Sequence, residues 1–295
     1  MHTTKPLQHW LPILSLLFTA TLWGMVWYPL RLLEAHGLAG LWSSLICYGA
    51  ALLAGCWIFF RESQVARENF LHLALLGITA GWCNVAFILA VLDGTVVRVL
   101  LLFYLSPFWA VCLGWLLLGE RLDGKSLLVF LLAVSGAMIM LWDTQVGMPW
   151  PRGNADWLAV SSGFAFALSN VLVRRLQPVG VWLKSTSSWL GVVLVALVWI
   201  ACSGAAAPAI GAGIFLLAVV LGLCGFLLMT LTVQYGVTHM PVHRSAVILL
   251  FELVVGALSS ALLTDEVVLA REWTGGAMIV TAAWIAARIH SGDYP

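Results

Sequence analysis

Apolar residues in this chain gather into runs about as long as a membrane-spanning helix, separated by short stretches that hold most of the charges, glycines and prolines. A helix needs about 20 predominantly apolar residues to cross the hydrocarbon core. Ten runs meet or nearly meet that length: 11–31, 39–60, 70–92, 96–118, 125–142, 155–176, 182–202, 211–236, 244–264 and 273–290. Gly37, Gly94, Gly124, Gly180, Pro208 and Pro241 interrupt them, and the longest connection, from about Asp143 to Asn154, divides the chain nearly in half. Strands are excluded, because an open sheet leaves unpaired backbone groups in hydrocarbon and the runs are too long and unalternating for a barrel. Lys5 ahead of Leu11 resembles the start of a signal peptide, but no small-residue cleavage site follows and further spans do, so the run from Leu11 is read as the first helix.

Composition agrees with that reading: 62% of residues are apolar and 9% charged. The 14 Lys+Arg against 13 Asp+Glu, a formal net charge of +1, offer no basic surface for nucleic acid. Six cysteines, Cys47, Cys56, Cys83, Cys112, Cys202 and Cys224, lie in or at the ends of apolar runs without a close pair, so neither a disulfide framework nor a zinc site is expected. Placement of the cations sets an orientation. With the N-terminus in the cytoplasm, that side carries Lys5, Arg61, Arg67, Arg121, Lys125, Arg174, Arg175, Lys184, Arg244 and Arg288, ten in all, and the other side Arg31, Arg98, Arg152 and Arg271, which completes the 14. This excess predicts an integral membrane protein with both termini cytoplasmic.

The charges also reveal an internal repeat. Arg98 opens the fourth run and Glu120 closes it; Arg244 opens the ninth and Glu266 closes it; each pair of equivalents is 146 residues apart. Two matched charges at helix ends of equal rank point to two related halves, residues 1–145 and 146–295. Because five spans is an odd number, the second copy enters the membrane from the opposite side. The predicted fold is therefore all-α, ten transmembrane helices in two inverted five-helix repeats around a central cavity, an architecture that places a site near the bilayer midplane.

Pro107 followed by Gly119-Glu120 in the fourth run, Leu22-Trp23-Gly24 in the first, and Phe251-Glu252 with Asp265-Glu266 in the ninth resemble the EamA-type repeat of the drug/metabolite transporter superfamily over essentially the whole chain. One departure is Leu253, where family members often carry a proline after the glutamate, which puts a matched kink in the second half in question. The resemblance implies a secondary transporter in a bacterial inner (plasma) membrane. It implies an exporter of amino acids, aromatic or otherwise hydrophobic ones in the YddG-like branch, or of related metabolites, with organic cations as the alternative.

Candidate site residues follow from what hydrocarbon tolerates. Glu252 lies eight positions into the ninth run, where an ionisable group is costly and by default functional; it suits protons or a substrate amine, against the alternative of a glutamate that ties helices together. Trp23, Trp27 and Tyr28 in the first run, Trp82 and Asn84 in the third, Tyr104, Ser106 and Trp109 in the fourth, Asn170 in the sixth, and Thr230 and Gln234 in the eighth sit at mid-span and would line a cavity with planar rings and a few hydrogen-bonding groups. Helix-to-helix packing is the competing use of each. Pro107 should bend the fourth helix, and Glu120 and Glu266 at helix ends are read as capping or gating residues facing Arg121 or Arg271. Arg98 and Arg244 are expected to snorkel to opposite interfaces, and Gly77 and Gly81 to permit close helix contact.

The rival class is an intramembrane enzyme. His2, His9, His36, His72, His239, His243 and His290 all lie at run ends or in loops, Pro241 separates His239 from His243, and neither a Gly-x-Ser-x-Gly elbow nor a Walker-type loop occurs. No catalytic residue, metal or cofactor is expected. The partners are the bilayer, a small-molecule substrate and, through Glu252, protons.

Overall fold

The computed structural model describes residues 6–38, 40–142, 150–264 and 268–288, with side chains described from Trp10 onward. Among these, regular structure is entirely helical. Nine spans are long and apolar enough to cross a bilayer: Trp10–Ala35, Gly40–Arg61, Phe70–Asp93, Val96–Leu118, Gly124–Leu141, Asn154–Arg175, Val181–Ser203, Ala212–His239 and Val242–Leu263. A tenth helix, Ala270–Arg288, has 19 residues, about 28 Å at 1.5 Å per residue, but Arg271, Glu272 and Arg288 at its ends dilute its hydropathy. The ten helices coincide in order with the ten runs.

Each principal packing has a partner when the halves are exchanged. The third span packs on the seventh and the eighth on the second; the sixth on the third and the first on the eighth; the sixth on the fourth and the first on the ninth. The fifth packs on the tenth and the second on the seventh, which are their own counterparts.

In hydrocarbon, helices gain little by burying apolar surface, so close backbone approach and dispersion decide which faces meet. The third and seventh spans meet on Gly77, Gly81 and Gly191, where a Cβ on Gly77 would stand 2.8 Å from Ser187 O. The fifth and tenth meet on Gly136 and Gly275, where a Cβ on Gly136 would stand 2.7 Å from Gly275 O. Around these crossings the largest buried apolar cluster runs from Ile13 and Leu16 through Leu76, Phe130 and Leu183 to Ile279.

Both cationic helix starts differ from the expected snorkelling. Arg98 is half-buried against Asp156, Nε to Oδ1 and Oδ2 at 2.9 Å each, and also donates to Trp150 O at 2.6 Å. Arg244, 2% exposed, donates to Ala286 O through Nε at 3.1 Å and Nη2 at 2.6 Å, capping the end of the tenth helix. A buried guanidinium at a helix C-terminus satisfies carbonyls that have no partner in their own helix.

Gly191→Val should therefore push the third and seventh spans apart and cost about 1–3 kcal/mol or more, the usual range for overpacking. Thermal unfolding of the detergent-solubilised protein, followed by tryptophan fluorescence, is expected to show a midpoint several degrees lower. Gly213→Val, where a Cβ meets nothing within 4 Å, should leave it in place.

Candidate functional site

The fourth and ninth spans are each broken in two. The fourth consists of Val96–Phe103 and Ser106–Leu118, and the ninth of Val242–Leu249 and Phe251–Leu263. Adding 146 to Val96 and Phe103 gives Val242 and Leu249, so the breaks are in register.

Pro107 accounts for the first break. It lies in the opening turn of Ser106–Leu118, where its missing N–H is harmless and its ring excludes the continuing carbonyl of the preceding turn. Leu253 occupies the equivalent place in the ninth span, yet the helix breaks there too: Leu250 N reaches Ala246 O only at 3.4 Å, and Leu253 N turns back to Leu250 O at 3.1 Å. The tighter turn brings the Glu252 carbonyl against the first span, where a Cβ on Gly24 would lie 2.7 Å away. Gly24 is thus the residue that lets the first span seat on the break. Ser259 Oγ donates to Gly24 O at 2.9 Å and accepts from Trp27 Nε1 at 2.9 Å, which fixes that seat.

The two breaks face each other. Tyr104 Oη, at the first, donates to Glu252 Oε1, at the second, at 2.7 Å. A cavity of about 10 Å³ lies beside them, roughly the room one water needs. Ser106, Asn170, Phe103 and Phe166 line it with Tyr104, Pro107 and Glu252, and no Lys, Arg or His does so. The rings form a connected set: Trp23 to Phe166 at 5.8 Å, Phe166 to Phe103 at 5.7 Å and Phe103 to Tyr104 at 5.4 Å between centroids.

Of the residues expected at the cavity, Glu252, Tyr104, Ser106, Asn170 and Pro107 are thus together, and Trp23 stands behind Phe166. The others are elsewhere. Trp27 is tied to Ser259, Tyr28 is exposed, and Trp82 Nε1 donates to Ser161 Oγ at 3.2 Å. Trp109 packs edge-on to Phe164 at 5.6 Å, Thr230 bonds its own helix at Phe226 O, and Gln234 Nε2 donates to Ser188 Oγ at 2.9 Å. Asn84 does not line this cavity, and its Oδ1 is buried without a hydrogen-bond partner. Glu266 and the neighbouring Asp265 lie outside the described residues. Phe103 and Phe166 are the lining residues that the sequence reading passed over; the ring of each is chemically indistinguishable from one facing lipid.

A polar cluster closes the end of the bundle where the fourth span finishes. Gly119, left-handed at φ +71°, turns the chain so that Glu120 N donates to Gly114 O at 3.1 Å. The Glu120 carboxylate then crosses to the other half, accepting from Val242 N at 2.8 Å and meeting Arg174 Nε at 3.4 Å and His243 Nδ1 at 3.8 Å. Glu120 therefore caps the N-terminus of Val242–Leu249, where unpaired N–H groups favour an anion, and its partners are Arg174 and His243, not Arg121 or Arg271. Arg174 Nη1 donates to Thr238 O at 2.6 Å, and Lys184, fully buried, donates to Thr238 Oγ1 at 2.6 Å and Val173 O at 3.4 Å. Five spans, the fourth and the sixth to ninth, are knotted there, while Arg98 and Asp156 join the fourth and sixth spans at the opposite end.

Comparisons with known proteins bear on the same elements. An uncharacterized transporter of Pseudomonas aeruginosa is 29% identical over 165 residues, which cover 54% of this chain and 50% of that protein; the chain thus spans about half the length of the curated relative it matches. A protein of known crystal structure superposes with a TM-score of 0.75 over 93% of this chain and 96% of its own, at 16% identity, which is a likeness of fold. Residues 10–142, the first five spans with Pro107, Gly119 and Glu120, match the EamA-like transporter family.

Proposed function

We propose that this chain is a secondary transporter that moves a small amine-bearing molecule across a bacterial inner membrane by alternating access, its two halves, residues 1–145 and 146–295, acting as inverted copies. The observation that carries the reading is the hydrogen bond from Tyr104 to Glu252 across two helix breaks in register. Discontinuous helices facing each other are how inverted-repeat transporters build a site at mid-membrane. The family match and the paired packings of the two halves support the same reading.

Glu252 meets a proton or a substrate ammonium, and Tyr104 orients it. The rings of Phe103, Phe166 and Trp23 suit a cation or a planar group nearby. The lining offers one carboxylate and no cationic side chain, so the carboxylate of an amino acid would find only the Ser106 hydroxyl and the Asn170 amide. That balance favours an organic cation or simple amine over a zwitterion. A cavity of about 10 Å³ admits no such molecule until one end opens, and the Glu120 cluster and the Arg98–Asp156 pair are the two ends' closures. Both termini are assigned to the cytoplasm on the cation distribution, which puts the Glu120 cluster on that side. Export is the direction the family resemblance implies.

Flux of radiolabelled amines, organic cations and amino acids in proteoliposomes tests the site. Glu252→Gln is expected to lower the rate at least about ten-fold and to flatten its pH dependence, as loss of a charged contact of 1.5–3 kcal/mol implies. An unchanged rate and an unchanged pH profile would remove Glu252 from the mechanism. Tyr104→Phe should reduce the rate while leaving a pH dependence.

The cytoplasmic closure has its own measurement. In a cysteine-free background carrying Asn170→Cys, Glu120→Gln should raise labelling by a membrane-impermeant maleimide applied from the cytoplasmic face. Labelling that stays at the level of the parent would show that Glu120 does not hold that face shut.

A further inference from the structure

Beside the closed end of the bundle, between the third, fourth and sixth spans, lies a second and larger cavity of about 260 Å³. It is lined by Leu75, Leu117, Leu168, Val171 and Leu172, with His72 and Arg175. Leu75 is 40% exposed and Leu117 39%, so the cavity is a groove on the outer surface of the bundle, where acyl chains lie. Its two titratable groups sit at helix ends: His72 in the first turn of Phe70–Asp93, Arg175 at the close of Asn154–Arg175. Polar groups at helix ends and aliphatic side chains below them follow the order of a lipid, headgroup to tail.

Arg174 and Arg175 divide their work. Arg174 turns inward to Glu120 and Thr238. Arg175 is exposed and makes one long hydrogen bond, Nη1 to Leu117 O at 3.5 Å, which leaves most of its five N–H donors directed outward. No carboxylate lines the groove, and Glu68, four residues before His72, is engaged by Gln64 Nε2 at 3.0 Å. A cation that meets no anion among the described residues, at interface depth above five aliphatic side chains, is a binding site for an anionic headgroup that carries its own tails.

We propose that this groove binds an anionic phospholipid, its phosphate on Arg175 with His72 and an acyl chain along Leu75, Leu117 and Leu168. The inference is independent of the transport reading and takes from it only the leaflet, the cytoplasmic one. Bound there, the lipid braces the ends of three spans next to the residue that holds the Glu120 cluster.

Native mass spectrometry of the full chain, released from mixed micelles containing phosphatidylglycerol and phosphatidylcholine of identical chains, reads this directly. Wild type should retain phosphatidylglycerol over phosphatidylcholine by about five-fold or more, the preference one interfacial cation confers. In Arg175→Gln/His72→Gln the ratio should fall to near one, while Arg121→Gln keeps it. Leu117→Trp, which fills the groove and leaves both charges in place, should also lose the preference, and it stands in should the double variant be recovered unfolded. Equal retention of the two lipids by wild type, or an undiminished preference in both groove variants, overturns the proposal. So does displacement of the lipid by millimolar inorganic phosphate, which would assign the cation to free phosphate.

Discussion

A peptide group in hydrocarbon has no water to turn to, and that constraint organises everything else in this protein. The fourth and ninth spans are broken near mid-membrane, at Tyr104–Leu105 and at Leu250, and each break interrupts the ladder of backbone bonds that a spanning helix otherwise completes within itself. Such breaks are tolerable only where protein surrounds them. The other spans are accordingly drawn in tightly around the fourth and ninth, the first over Gly24 against Glu252, the sixth over Gly163 against Phe103. The same crowding brings Tyr104 and Glu252 within hydrogen-bond reach of each other. The candidate site is therefore a consequence of the breaks and of the packing that shelters them.

Electrostatics follows a similar rule. Cations that would be costly in the membrane sit at helix C-termini, where carbonyls lack partners: Arg244 at Ala286, Arg174 at Thr238, Lys184 at Val173. Among the described residues no carboxylate meets Lys184, and in that position it needs none, because a carbonyl and a hydroxyl receive it. Glu120 does the converse at a helix N-terminus. Each of these contacts joins separate spans, so charges that cap helices also decide which helix ends can part.

The ten helices and their order were legible because hydrocarbon thickness imposes a length that any run of apolar residues declares. Pro107 and the pair Gly119-Glu120 were legible for local reasons: one cannot continue a helix, the other turns left-handed and caps. The break at Leu250 was not, since Leu253 has every local reason to be helical, and the seat of the first span on it over Gly24 is a contact between distant parts of the chain. Among aromatic residues, the tryptophans were expected at the cavity for their planar rings at mid-span, but Trp27 and Trp82 are tied through their N–H groups to serines of neighbouring helices. The cavity is walled instead by Phe103 and Phe166, whose burial depends on tertiary contacts that local composition does not encode.

The segment Val242–Leu249 is gripped near its start, by Glu120 at Val242 N and through Arg244 at Ala286 O, and is followed at its far end by Leu250 and Glu252. Eight residues make a stiff rod about 12 Å long. A tilt of about 10° at the gripped end displaces the far end by about 2 Å, enough to lengthen the Tyr104–Glu252 hydrogen bond beyond reach. The rod is thus a lever: movement at one face of the bundle is delivered at mid-depth with no change inside the helix that carries it.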